Sequence, residues 1–435
     1  MESENVHEPN GKALFPLGVF FLLYLFTWFF TGDIGKMPVS IAFLSASVVA
    51  VFFSKGGKIS HRIDLFCAGA ANKTIIFMVI IFILAGAFAG ATKAMGAVET
   101  TVNIILYLIP GNVILAGIFV AACFMSMSMG TSCGTIAALA PITVGISAQL
   151  GIELPHTLGI VVGGAMFGDN LSYISDTTIV ATRTQECRMK DKFNANIRLV
   201  LPAALLVLIV YGIQGVELSD SPTIATGEIE WLKGLPYLTV LVMALAGVNV
   251  ITVLTVGILL SGLIGIFSRS FLVWDWIGAM SNGIVSNMGE LIIVSLMAGG
   301  MFEMIRFNGG IDWLILRLTK NIHSPRKAET AIAGLISFTN LCTANNTIAL
   351  IITGPIAKTI SDKFSLDKRR VASILDTFSC FIQGLLPYGA QLLIISGIAG
   401  ISPIEIIPHI YYSHLMGIFA IMGIILQWPK LKQQS

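Results

Sequence analysis

The chain has 435 residues, of which 55% are hydrophobic and only 11% charged, with a mean hydropathy of +0.85. An ordinary globular chain carries about 25% charged residues, so this composition excludes a soluble fold and points to a polytopic membrane protein embedded in a lipid bilayer. A formal net charge of +2 with no long basic run excludes a nucleic-acid surface.

Crossing the hydrocarbon takes about 20 mostly apolar residues in a helix. Such stretches are predicted over 13–31, 37–54, 72–94, 112–130, 133–150, 156–183 and 197–214. A second series follows over 236–248, 250–268, 285–306, 328–342, 347–361, 371–397 and 408–428. They frame an N-terminal tail (1–12), a first repeat (13–215), a linker (216–235), a second repeat (236–428) and a C-terminal tail (429–435). No small-residue cleavage site follows the first apolar stretch, which therefore reads as a membrane helix and not as a signal peptide. The six cysteines lack paired spacing and read as packing residues.

The two series repeat one another about 213 residues apart: Ala85-Gly86 returns as Ala298-Gly299, Gly96 as Gly309, and Glu99 as Asp312. Thr135-Ile136-Ala137 returns as Thr347-Ile348-Ala349, and Pro141 as Pro355. Related halves with interrupted apolar segments at matching positions are the signature of a secondary transporter. Basic clusters at Lys55/Lys58/Arg62, Arg183/Arg188/Lys190/Lys192, Arg317/Lys320/Arg326/Lys327, Lys363/Lys368/Arg369/Arg370 and Lys430/Lys432 stay cytoplasmic by the positive-inside rule. All five lie inside only if 112–150 and 328–361 are helical hairpins opening to opposite faces. The expected fold is thus all-α, with two inverted-topology repeats. Each has five transmembrane crossings, a helical hairpin and a broken helix. Both termini are expected in the cytoplasm, and the membrane is expected to be the bacterial cytoplasmic (inner) one.

Polar residues concentrate at four places. The hairpin turns carry Thr131, Ser132 and Thr135 in the first half and Asn345, Asn346 and Thr347 in the second. A chain reversal inside the bilayer must satisfy its backbone or line a wet cavity, and hydroxyls and amides there either cap a short loop or bind a cation. The third place is Gly168-Asp169-Asn170-Leu171-Ser172-Tyr173-Ile174-Ser175-Asp176-Thr177-Thr178. Carboxylates seven apart share a face if the helix continues; Gly168 and the hydroxyl run make an unwound segment equally compatible. Acids in lipid are functional by default, and carboxylate, hydroxyl and carbonyl oxygens are hard-cation ligands. Asp169, Asn170, Ser172, Ser175, Asp176 and Thr177 are therefore the expected cation- and proton-binding residues, with Asp169 and Asp176 holding Na+. The bland alternative is a membrane-edge loop, with Asp176 capping a helix or pairing with Arg183 or Arg188. The fourth place, Asp376 through Gln391, replaces charge with Gln383, Tyr388 and Gln391; Asp376 is either a third carboxylate or a surface partner of Lys368 or Arg369. Glu303 should pair with Arg306, while Glu290 stands further from any basic partner. The histidines lie at segment ends, as interfacial packing.

Gly130-Thr131-Ser132-Cys133-Gly134-Thr135 followed by Gly168-Asp169, Leu171-Ser172 and Ser175-Asp176-Thr177-Thr178 resembles the NhaC family of sodium/proton antiporters, in the wider ion-transporter superfamily. The likeness covers most of the chain. Tyr173 replaces a usual proline, and Gly384-Leu385-Leu386-Pro387-Tyr388-Gly389 replaces a Ser-Pro-Leu-Val-Pro-Trp-like segment. The resemblance implies exchange of Na+ and H+ without a tightly bound cofactor. A sodium- or proton-coupled carrier of a small organic acid or amino acid is the alternative, since some relatives resemble such permeases. An enzyme is not expected: Met166 breaks the membrane aspartyl-protease glycine, and no His-Glu-x-x-His occurs. A homodimer through 13–54 and 236–268 is expected by analogy with scaffolded antiporters.

Overall fold

The computed structural model describes residues 8–31, 36–55, 57–108, 110–173, 175–218, 230–320 and 322–428. The C-terminal tail with Lys430 and Lys432, most of the linker and the first seven residues lie outside them. The described chain is all-helical, with 7 helices long and apolar enough to cross a membrane, or up to 9 if each bent pair is one span.

The helices fall into two series, each with a helical hairpin followed by a broken helix. The first is α1 (Phe15–Thr31), α2 (Val39–Phe53), α3 (Ile59–Ala70), α4 (Lys73–Met95), α5 (Ala97–Leu108), α6 (Ile114–Met129), α7 (Ser132–Leu150), α8 (Leu154–Leu171), α9 (Asp176–Thr184) and α10 (Met189–Leu218). The second is α11 (Trp231–Leu245), α12 (Val250–Phe267), α13 (Val273–Asn282), α14 (Gly289–Phe307), α15 (Gly310–Thr319), α16 (Pro325–Thr343), α17 (Asn346–Lys363), α18 (Lys368–Leu385), α19 (Ala390–Ala399), a one-turn α20 (Pro403–Ile406) and α21 (Tyr411–Leu426). Local details repeat as well. Gly96 and Gly309, ahead of α5 and α15, both take φ +77°. At the hairpin turns Gly130 and Ala344 are both left-handed, and the N-caps Thr131 and Asn345 each accept from the amide three residues on. Pro141 and Pro355 lie inside α7 and α17.

Besides the one-turn α20, four helices fall outside the expected segments: α3, α5, α13 and α15. Each has 10 to 12 residues, too short for a span, and each carries charge that lowers its hydropathy, such as Arg62, Glu99, Asp275 and Arg317. The expected 285–306 segment starts earlier, running from α13 through a π-helical stretch, Gly283–Met288, into α14 with a 43° bend. Close contact explains the small residues there: Gly283 and Gly86 face each other backbone to backbone, as do Gly90 and Ala279. The 236–248 and 250–268 segments double back. Gly247, at φ +76°, reverses the chain, so that Gly257 of α12 packs on Val240 of α11.

Helix α10 fixes the relation between the two hairpins. Its 30 residues span about 45 Å at 1.5 Å per residue. At its C-terminal end Gly215 abuts Asn112, at the open end of the α6–α7 hairpin. Just before its N-terminal end Glu186 pairs with Lys358, near the open end of the α16–α17 hairpin, and with Lys368 at 3.1 Å. These lysines hold the Glu186 carboxyl below its usual range, mainly through the Lys358 hydrogen bond. The open ends of the two hairpins therefore touch opposite ends of α10.

Candidate functional site

Both hairpin turns line one 260 Å³ cavity, with Thr131, Ser132 and Cys133 from the first and Asn345, Asn346 and Thr347 from the second. Two helix breaks flank it, one between α8 and α9, where Asp169, Ser175 and Asp176 line the cavity, and one between α18 and α19, where Gln383, Ala390 and Gln391 line it. Five helices start beside the cavity (α7, α9, α12, α17, α19) and four end there (α6, α8, α16, α18). Helix starts offer amides and ends offer free carbonyls, so the position can bind ions of either sign.

Asp169 sits at the centre, 4% exposed. Ser132 Oγ donates to its Oδ2 at 2.9 Å, and Ser175 Oγ donates to its Oδ1 at 2.6 Å. Thr177 Oγ1 lies 2.9 Å from the Ser175 hydroxyl. From the second half, Gln383 Nε2 donates to the Ala344 carbonyl at 3.3 Å and to Gln391 Oε1 at 2.8 Å, and Gln391 Nε2 donates to Ser132 Oγ at 2.9 Å. One hydrogen-bonded chain thus runs from the tip of the second hairpin to the carboxylate of the first half.

Several expected ligands are placed elsewhere. The helix breaks at 172–175, so Asp169 and Asp176 do not share a continuous helix face; Asp176 is exposed, in the first turn of α9, and lines the same cavity. It makes no ion pair with Arg183 or Arg188, and Arg188 pairs with Asp191. Ser172 donates to the Met127 carbonyl at 2.8 Å, and Thr135 donates to the Thr131 carbonyl at 3.1 Å; neither lines the cavity. Tyr388 turns away too: its hydroxyl donates to the Leu341 carbonyl at 2.7 Å and its ring packs on Phe20 and Phe43. Glu290 accepts from Ser40, at 2.6 Å from its hydroxyl, away from the cavity, and Glu303 pairs with Arg306 at 2.6 Å as expected. His156 and His409 pack together with ring centroids 5.8 Å apart.

Asp376 has neither expected surface partner. It is fully buried and pairs with Lys192 at 2.5 Å, while Lys368 goes to Glu186 and Arg369 to Asp367. Lys192, counted above among cytoplasmic basic residues, is itself 1% exposed. Asn170 also belongs here: its Nδ2 donates to Asp376 Oδ2 at 3.0 Å, and its side-chain oxygen accepts from Asn196. No sequence pattern flagged Asn196, and Lys192 stood out only as one of a basic cluster. Asn249 and Val250, from the α11–α12 turn, are unforeseen lining residues.

Among the described residues no group of three His, Cys, Asp or Glu side chains forms a metal cluster. The oxygens placed at Asp169 are its own carboxylate and the hydroxyls of Ser132, Ser175 and Thr177, ligands of the kind a hard cation takes.

A second cavity, of 750 Å³, follows the same three helices, α4, α7 and α19, further along. Lys93, Glu99, Pro141, Gln149, Asn282 and Gly400 are among its walls. Between the cavities lie Phe82, Ala85 and Phe88, then Ile136, Ala137 and Ala140, then Leu392 to Ile395, all at most 1% exposed. From Cys133 to Pro141 and from Gln391 to Gly397 this apolar layer is roughly 9–12 Å thick at 1.5 Å per residue.

The model of the Na+/H+ antiporter family matches residues 14–216 and 226–428. Among characterised proteins, the chain is 24% identical to the Na(+)/H(+) antiporter NhaC of Bacillus subtilis, over 95% of this chain and 98% of that one. It is also 24% identical to a Malate-2H(+)/Na(+)-lactate antiporter of the same organism, over 95% and 94%. The solved YdaH transporter of Alcanivorax borkumensis covers 94% of this chain and 99% of its own, at 12% identity and a TM-score of 0.42.

Proposed function

The chain belongs to the Na+/H+ antiporter family, and from that membership and the geometry of the site we propose that it exchanges Na+ for H+ by alternating access at Asp169. The observation that carries this is the hydrogen-bonded chain linking the Asp169 carboxylate to both hairpin tips. One buried carboxylate is neutralised either by a proton or by sodium, not by both. The ions compete for it, and competition combined with a site reachable from one side at a time gives antiport. Sodium would be held by Asp169, the hydroxyls of Ser132, Ser175 and Thr177, and carbonyls freed at the helix ends. Asp176, at the cavity wall, would attract the cation on entry.

The hairpin and broken helix in each series and the contact of the hairpins' open ends with opposite ends of α10 support inverted-topology halves meeting at the site. The two cavities, divided by an apolar layer, support alternating access. The end carrying Lys358 and Lys368 is assigned to the cytoplasm by the positive-inside rule, with the Lys93–Glu99 cavity facing outward. The exposed apolar rows of α1, including Phe26 and Phe29, and of α12, including Leu263 and Phe267, face lipid or a second copy of the chain.

A second reading keeps the fold and adds a small organic acid as cargo. It is favoured by the volume of the cavity, far larger than one ion, by the five helix starts around it and by the unpartnered Asn346 Nδ2 on its wall. Sodium-driven proton flux in proteoliposomes tests the first reading. Asp169→Asn should abolish it, and near-normal flux in that variant refutes the assignment. Uptake of a labelled dicarboxylate or amino acid driven by a sodium gradient would establish the second.

A further inference from the structure

One residue beyond Asp169 on α8, a second oxygen-lined site is already filled. Lys192 Nζ lies 2.5 Å from Asp376 Oδ2, 2.6 Å from the Asn170 carbonyl and 2.8 Å from Thr178 Oγ1. The ammonium thus has three contacts: a carboxylate, a hydroxyl and a backbone carbonyl one residue from the end of α8, where the helix leaves its last carbonyls without intrahelical partners. Carboxylate and hydroxyl also meet at Asp169, and all three are oxygen ligands of the kind a hard cation takes. Further oxygens are available, since Asp376 Oδ1 and Asn196 Oδ1 are buried without a hydrogen-bond partner. An ordinary buried ion pair would leave fewer unused acceptors, because such atoms are costly in a dry interior.

We propose that the Lys192 ammonium is a tethered cation occupying a second alkali-ion site, and that removing it opens that site to sodium. The inference rests on the reading of Asp169 as the sodium carboxylate. It adds an account of occupancy: of the three buried charges at this level, Lys192 cancels Asp376, so one monovalent cation at Asp169 completes neutrality. The side chain also bridges α8 and α9, from Asn170 to Thr178. An ion placed there by mass action would do the same work without the tether.

The test is equilibrium binding of radioactive sodium to the full-length protein in detergent, read beside thermal stability in sodium, methylammonium and choline. Wild type should bind one sodium per chain and Lys192→Ala two, the second being lost in Lys192→Ala/Asp376→Asn. Methylammonium, a free copy of the lysine head group, should stabilise Lys192→Ala but neither wild type nor the double variant. A folded Lys192→Ala that gains no sodium and no response to methylammonium overturns the proposal. So does a Lys192→Ala chain that no cation restores to a folded state, because a fillable site would be restored. The Asp169→Asn background separates the two readings. Sodium binding that persists in Asp169→Asn counts against Asp169, whereas one sodium gained on going to Asp169→Asn/Lys192→Ala supports the second site by itself.

Discussion

Ser132→Ala is the sharpest perturbation of the site. The Ser132 hydroxyl donates to Asp169 and accepts from Gln391, so it joins the carboxylate to the second half of the molecule. The fold should tolerate the change: Ser132 is the first residue of α7, Thr131 keeps its capping contact with the Gly134 amide, and alanine is a good helix former. What is lost is a hydrogen bond to a charged group, worth about 1.5–3 kcal/mol. At about 1.4 kcal/mol per tenfold, sodium should bind roughly 10- to 150-fold more weakly. The assay is proton flux in proteoliposomes against sodium concentration at fixed pH, read as half-saturating sodium. Ser172→Ala is the control, because Ser172 stands in the same sequence motif but donates to Met127 outside the cavity; its half-saturation should match wild type. Half-saturation for Ser132→Ala within about twofold of wild type, below the weakest hydrogen bond of this kind, refutes the assignment of Ser132. The opposite ranking of the two serines would move the site toward the break itself.

Cys133 is half-buried on the cavity wall, whereas Cys123, Cys342 and Cys380 are buried. In a Cys67→Ser/Cys187→Ser background, a membrane-impermeant maleimide should label Cys133, and sodium should slow that labelling several-fold; a rate indifferent to sodium separates Cys133 from the ion. Gly283→Ala should lower the thermal midpoint, because its Cβ would meet the Gly86 carbonyl oxygen at 2.1 Å and force α4 away from the π-helical stretch, at about 1–3 kcal/mol. Gly278→Ala, with nothing within 4 Å, should leave stability unchanged or gain up to about 1 kcal/mol from helix propensity; equal losses at both positions would mean that backbone approach is not what fixes Gly283.

What the sequence disclosed and what it hid follow from the same geometry. The hairpins were legible because the basic clusters left no other placement for 112–150 and 328–361, and because each turn carries polar residues, Thr131 and Asn345 among them, that cap the following helix. The doubling-back of α11 and α12 left only Gly247 as a sign, and α3, α5, α13 and α15 were invisible to a search for long apolar runs. The partition of the acidic motif could not be read at all. Successive residues of a helix point about 100° apart, at 3.6 residues per turn, so Asp169 and Asn170, adjacent in sequence, serve different neighbours. Asp169 meets Ser132 and Ser175, and Asn170 meets Asp376, Asn196 and the Lys192 ammonium. A contiguous motif hides that divergence. The positive-inside rule adds to it, because it counts every lysine near a helix end as solvated. Lys192 lies three residues into α10 and reaches a carboxylate 184 positions away (376 minus 192). Nothing local distinguishes it from Lys190, and only the packing of α8, α10 and α18 turns one of them inward.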